Sequence, residues 1–159
     1  MKNFLSALYS KFKLFHYIEE SIIIQSPINN VWDEFQNIKD YSQWNTLFSF
    51  EKFPSYVGEQ PQIRLYSNNR TFLIYPKILK MEQYCLEWEG KLYLNGLFNG
   101  YHRFTFTRID HQRTLLIQAE YFRGLLVPLL NKLVIQPTKI KFQEMNYAFA
   151  SYVENKNKL

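Results

Sequence analysis

The apolar residues of this chain change their period for the last time near Gly124, and that change sets a long helix after a run of strands. Between Phe48 and Phe122 they fall in runs rich in β-branched and aromatic residues, near residues 47–53, 62–67, 71–82, 84–94, 101–109 and 114–123. Turn-forming residues separate the runs: Pro54-Ser55, Gly58, Pro61, Asn68-Asn69, Asn95-Gly96, Asn99-Gly100 and the stretch from Asp110 to Gln112. Spacing of that kind predicts a meander of antiparallel strands. Beyond Gly124, Ile135, Thr138, Phe142, Met145, Phe149 and Tyr152 recur at steps of three and four, one helix face sustained over about five turns. Pro137 interrupts the repeat, so either a first helix over residues 126–136 ends there or one long helix kinks there.

The N-terminal part adds a strand and two short helices. Residues 21–25 (SIIIQ) are a β-branched run, and Ser26-Pro27 after them offers an N-cap and a first helical residue. Ile28, Val31, Trp32 and Phe35 then share one face of a helix near residues 27–36. A second helical turn or two, carrying Tyr41 and Trp44, is expected within residues 38–47. The expected fold is therefore α+β: a seven-stranded curved antiparallel sheet wrapped around a long C-terminal helix, with two short helices after the first strand. No linker or repeat divides the chain, so residues 15–156 read as one domain behind an extension of residues 1–14. In that extension Phe4, Leu5, Leu8 and Phe12 take one side of an amphipathic helix and lysines the other, suited to packing or to membrane-surface contact.

Aromatic residues make up 18% of the chain, which favours a β-rich fold with a wide interior. The net charge of +5 is spread along the sequence, and no zinc-finger spacing, RNA-binding strand signature or DNA-reading basic helix accompanies it, so no nucleic-acid partner is expected. Cys85 stands alone, and His16, His102 and His111 form no metal-ligand spacing, so neither a metal nor a cofactor is expected. The first residues lack a signal sequence's apolar core and cleavage site, and no apolar run is long enough to span a membrane, so the expected location is cytoplasmic.

Alternation along a strand assigns faces. In the run from Cys85 to Leu94 the even positions Leu86, Trp88, Leu92 and Leu94 are apolar with Gly90, and point inward. A turn centred near His111 sets His102 opposite Glu120, Phe104 opposite Gln118 and Phe106 opposite Leu116. Closing the preceding hairpin over Asn95 to Asn99 sets Trp88 near Phe106 and Leu92 near His102. A histidine facing a carboxylate on an apolar wall orients a ligand's polar group, acts as a tuned acid or base, or serves as a structural ion pair. No activated nucleophile with a matched base is visible.

Four stretches resemble the START/Bet v 1-like superfamily, also called SRPBCC, in its polyketide cyclase/dehydrase-like branch. They are SPINNVWDEFQNIKDYSQWN, LEWEGKLYLNGLFNGYHRFTF, AEYFRGLLVPLL and FQEMNYAF, and their order spans residues 20–154. The resemblance implies a helix-grip fold with a cavity between sheet and C-terminal helix. His102, Glu120, Phe122 and Asn146 match recurring positions of the branch; Gln118 departs, because a histidine is common there.

The expected function is binding or transport of a hydrophobic small molecule, lipid, sterol or polyketide-like, in that cavity. Its expected lining is Trp32, Trp44, Phe72, Ile78, Trp88, His102, Phe104, Phe106, Gln118, Glu120, Phe122, Phe142, Met145, Asn146 and Phe149. The alternatives are a cyclase, dehydratase or hydrolase using His102 and Glu120 as its catalytic pair, and a protein- or membrane-interaction module.

Overall fold

The computed structural model describes residues 14–67, 70–92 and 96–156. The proposed N-terminal amphipathic helix lies outside the described residues, apart from Leu14. Among the described residues there are eight strands: β1 (Phe15–Ile24), β2 (Phe48–Phe50), β3 (Ile63–Ser67), β4 (Arg70–Ile74), β5 (Lys77–Glu82), β6 (Cys85–Leu92), β7 (Phe98–Arg108) and β8 (Thr114–Arg123). They form two sheets rather than the expected single sheet of seven: five strands in the order β1-β8-β7-β6-β5, and three in the order β2-β3-β4. The run read as one strand over residues 71–82 is two strands, because Pro76 has no N–H for a ladder and sits between β4 and β5. β1 is also longer than its β-branched run and starts at Phe15, with Ile18 and Ile24 buried at even positions and Phe15, Tyr17 and Ile23 exposed at odd ones.

After β1 come α1 (Ile28–Gln36) and a single 3-10 segment (Ile38–Gln43). The buried face of α1 is Ile28, Val31, Trp32 and Phe35, the set its periodicity indicates. Its cap is shifted by one residue from the expected Ser26: the Pro27 carbonyl accepts the Val31 N–H at 3.1 Å, and the Ser26 carbonyl accepts the buried Thr114 hydroxyl at 2.8 Å.

The C-terminal part is one continuous helical run: α2 (Val127–Leu130), a π turn (Asn131–Ile135) and α3 (Gln136–Lys156). Pro137 accounts for the widened turn. Proline cannot donate to the carbonyl four residues back, and its ring would strike that carbonyl in a regular helix. Opening the preceding turn to an Asn131 carbonyl–Gln136 N–H bond relieves the clash without ending the helix. The Thr138 hydroxyl returns a bond to the Val134 carbonyl at 2.7 Å.

α3 lays Phe142, Met145, Asn146, Phe149, Ala150 and Val153 onto the five-stranded sheet, and α1 and the three-stranded sheet close the remaining sides. Two groups of buried apolar residues result. The larger gathers α1, the three-stranded sheet and the distal half of α3; the smaller holds Ile18, Phe98, Phe122, Val127, Ile135 and Phe142.

Candidate functional site

Strand register decides which side chains meet at the boundary between these two groups. β7 pairs with β8 as the tight turn after Arg108 dictates: His102 opposite Glu120, Phe104 opposite Gln118, Phe106 opposite Leu116. β6 pairs with β7 four residues away from the expected register, so that Trp88 faces His102, Leu86 faces Phe104 and Leu92 faces Phe98. The error lay in reading Asn99-Gly100 as a second turn. Both are strand residues: the Asn99 amide donates to Glu89 at 2.7 Å, its oxygen accepts the Gly96 N–H at 3.1 Å, and Gly100 leaves room for a side chain from β8. Trp88, His102, Glu120 and Ile18 thus form one row across the sheet, and Leu86, Phe104, Gln118 and Glu20 the next.

His102 is 5% exposed and stacks on Trp88 at 4.5 Å and 16°, with the α3 residue Phe142 at 4.9 Å. Its Nε2 lies 3.2 Å from Gln118 Nε2, and its Nδ1 lies 3.5 Å from Glu120 Oε2. The Gln118 amide nitrogen can only donate, so Nε2 accepts from it, and Nδ1 is the ring nitrogen that faces the carboxylate. Glu120 connects the pair to solvent, with 16% of its side chain exposed. Its carboxylate lies over Gly100, where any Cβ would overlap Oε1, while a Cβ on the facing Gly90 would meet nothing within 4 Å. The two glycines give Glu120 a floor free of side chains.

Gln118 is fully buried; its Nε2 also lies 3.7 Å from Met145 Sδ on α3, and its Oε1 has no protein partner. Asn146 follows Met145 on α3, and neither of its buried amide atoms has a protein partner. The Trp44 indole N–H, buried against Phe149, is likewise unpaired within the protein. A buried polar atom without a hydrogen bond costs about 1–3 kcal/mol, so such atoms are uncommon in a core that has only structural duties.

Trp32, Trp44, Ile78, Trp88, Phe104, Phe106, Met145 and Phe149 all lie in the larger buried group, and Phe122 and Phe142 in the smaller. Their rings touch: Trp44 meets Phe149 at 4.4 Å, and Trp32 meets Phe106 at 5.4 Å. The space expected to be open between sheet and helix is filled by these rings. Two hollows of about 520 and 530 Å³ occur elsewhere, one against the end of α3 at Asp40, Tyr152 and Lys156, the other around the 3-10 segment; no expected lining residue borders either. Phe72 stands apart, 49% exposed on β4 opposite Leu65. Sequence reasoning passed over Phe35, whose ring lies 4.9 Å from Phe104 and 5.0 Å from Phe106. Its signal was present, as the fourth member of the apolar face of α1.

The inner face carries one histidine–carboxylate pair able to position a ligand's polar group or move a proton. Gln118, standing where the resemblance implies histidine, can only hydrogen-bond. Burial pushes the Cys85 thiol up from its ordinary 9.0, the opposite of an activated nucleophile. No cluster of three metal-ligating side chains occurs among the described residues.

No protein-family model matches the sequence, and no curated protein matches it. Solved structures do match. The ZhuI aromatase/cyclase from Streptomyces sp. R1128 superposes with a TM-score of 0.70 at 11% identity, over 89% of this chain and 95% of its own. A START superfamily protein from Mycobacterium smegmatis gives 0.67 at 14% identity, over 88% and 98%. Ara h 8.0201 gives 0.65 at 16% identity, over 87% and 97%. At such identities the likeness shows the fold, and the fold is that of the START/Bet v 1-like, or SRPBCC, proteins.

Proposed function

We propose that this SRPBCC-fold chain binds a hydrophobic small molecule carrying at least one hydrogen-bonding group. The apolar body would lie between the five-stranded sheet and α3, and the polar group against Gln118, Asn146 and the His102–Glu120 pair. The observation that carries the reading is the set of buried polar atoms without protein partners at that interface: Gln118 Oε1 with both amide atoms of Asn146. A ligand hydroxyl can donate to Gln118 Oε1 or Asn146 Oδ1 and accept from Asn146 Nδ2, a ligand carbonyl can accept from Nδ2 alone, and the aromatic surround supplies the apolar contact. From the aromatase/cyclase and the START superfamily neighbour the reading takes the fold alone, and the class of the apolar body is left to the test below.

Because rings fill the interior, binding requires them to move. Met145 is suited to that, being unbranched and adaptable, and it touches Gln118 directly. The π turn before α3 adds a point where the helical run departs from regular bonding.

Thermal unfolding of the purified chain with fatty acids, sterols and aromatic polyketides, beside native mass spectrometry of the chain as isolated, tests the reading. A ligand at a hundred times its Kd adds about 2.7 kcal/mol, which raises Tm by about 5–10 °C for a domain of this size. If no class shifts Tm and the isolated chain carries no extra mass, the proposal fails.

A further inference from the structure

The buried face of the C-terminal helical run has an opposite side that, among the described residues, nothing covers. Leu125, Leu129, Leu133 and Ile140 are 63%, 71%, 75% and 57% exposed, and Pro128 and Pro137 are exposed among them. Leu125 in the turn before α2, Leu129 on α2 and Leu133 in the π turn recur every four residues as a stripe, while Val127 and Ile135 of the same segment are buried. Large apolar side chains at consecutive turns, turned to solvent, mark a docking surface rather than scattered surface residues.

Charge selects the occupant. Between residues 121 and 143 the chain carries Arg123, Lys132, Lys139 and Lys141 and no acidic residue, although Lys139 lies 3.4 Å from Glu20 on β1 and Lys141 2.9 Å from Glu144, so the excess is positive but partly paired. The first thirteen residues, MKNFLSALYSKFK, are also basic, with Lys2, Lys11 and Lys13 and no acid, and also carry apolar side chains. They enter the fold at this place, because the Leu14 carbonyl accepts the Gly124 N–H at 2.9 Å, one residue before the stripe. Laying that segment, or a second copy of the stripe, onto the stripe would set positive charge on positive charge. An anionic lipid surface attracts both, and takes leucine and phenylalanine side chains into the headgroup–acyl boundary.

We propose that Leu125, Leu129 and Leu133, with the flanking basic residues, form a face that docks reversibly on anionic membranes. The proposal rests on the outer side of the helical run and is independent of the ligand reading, which rests on the inner side. The test is flotation of the full chain with vesicles of phosphatidylcholine alone and of phosphatidylcholine mixed with phosphatidylglycerol, at low and high salt. The expected result is binding to the anionic vesicles that weakens with salt, and a loss of at least about tenfold in the Leu129→Glu/Leu133→Glu chain, whose Tm stays that of the parent. A Leu129→Ser/Leu133→Ser chain, which adds no charge, is expected to lose binding as well. The proposal is overturned if the parent floats with neither vesicle, or if the double variants float as the parent does. It is also overturned if the parent is a dimer that Leu129→Glu/Leu133→Glu dissociates, which assigns the stripe to a second copy. Stronger flotation of a Leu5→Glu/Leu8→Glu chain would likewise overturn it, by showing that the first residues cover the stripe.

Discussion

Gly124 holds φ at +140°, and a Cβ there would run into the carbonyl of Leu97. The obstacle is backbone, held by the Leu126 N–H bond to the same Leu97 carbonyl at 3.0 Å, so it cannot swing aside. Gly124→Ala is expected to cost about 1–3 kcal/mol, read as a fall in Tm of about 3–10 °C; an unchanged Tm would show that the junction between β8 and α2 is not strained as described. Gly100 differs, because there a Cβ meets only the far end of Glu120, a side chain free to move. At this scale the sequence was a partial guide. The His102–Glu120 pairing was legible because a short turn leaves one register. The Trp88–His102 stack was not, because Asn99-Gly100 carries a turn's residue types while serving as strand, the asparagine for its Glu89 bond and the glycine for the Glu120 carboxylate. Unpaired amides are equally hidden, since a sequence shows that Gln118 and Asn146 are polar but not which partners they lack.

The end of α3 is fastened to α1 and the 3-10 segment by a polar clamp. Lys156 Nζ lies 2.8 Å from Glu34 and 3.3 Å from Asp40, and the Tyr152 hydroxyl lies 2.8 Å from Asp40 and 3.0 Å from Glu34. Bonds from Tyr152 and then Lys156 hold the Asp40 carboxyl below its ordinary 3.8. Burial first, with the Asp40 and Glu34 carboxylates adding to it, pushes the Tyr152 phenol up to about 12 against the opposing effect of Lys156. A depressed carboxylate stabilises the fold above its ordinary pKa and ceases to as pH falls through the lowered value. A raised phenol stabilises it below its ordinary 10.0 and ceases to as pH rises toward about 12. The clamp is therefore expected to hold steadily between about pH 4 and 10 and to weaken on both sides. Urea midpoints of the parent and Asp40→Asn chains check the acid limb. Their difference at about pH 7 should shrink as pH falls below the ordinary 3.8 and through the lowered value, and a difference independent of pH would contradict the assignment. Nothing in the sequence announced this clamp, which joins residues 118 positions apart. The helices themselves were legible from periodicity. The local effects of Pro76 and Pro137 were only half so, because proline marks an interruption without saying whether a strand ends or a turn widens.

At the scale of the whole molecule the change of hydrophobic period, with the four quoted stretches, was enough for the helix-grip architecture, and the superpositions agree with it. The state of the interior was beyond reach. Residue types give side-chain volumes, whereas whether rings leave a hollow depends on sheet curvature and helix distance, which composition does not encode. The rings close on one another; His102 touches Trp88 and Phe104 of one apolar group and Phe142 of the other, with Gln118 and Glu120 beside it and Asn146 on the buried face of α3. The unpaired amides lower the stability of the free chain and serve a partner that pairs them, a trade of stability for binding. Asn146→Leu keeps the branched shape and removes the two unpaired atoms, so it separates the two effects. The deciding measurement is Tm and ligand Kd for parent and Asn146→Leu side by side, using whichever compound raises the parent's Tm. The account requires the free variant to be as stable as the parent or more so, by up to about 2 kcal/mol, and to bind the compound at least about tenfold more weakly. A variant that binds as the parent does, or that loses stability as a damaged core would, contradicts it.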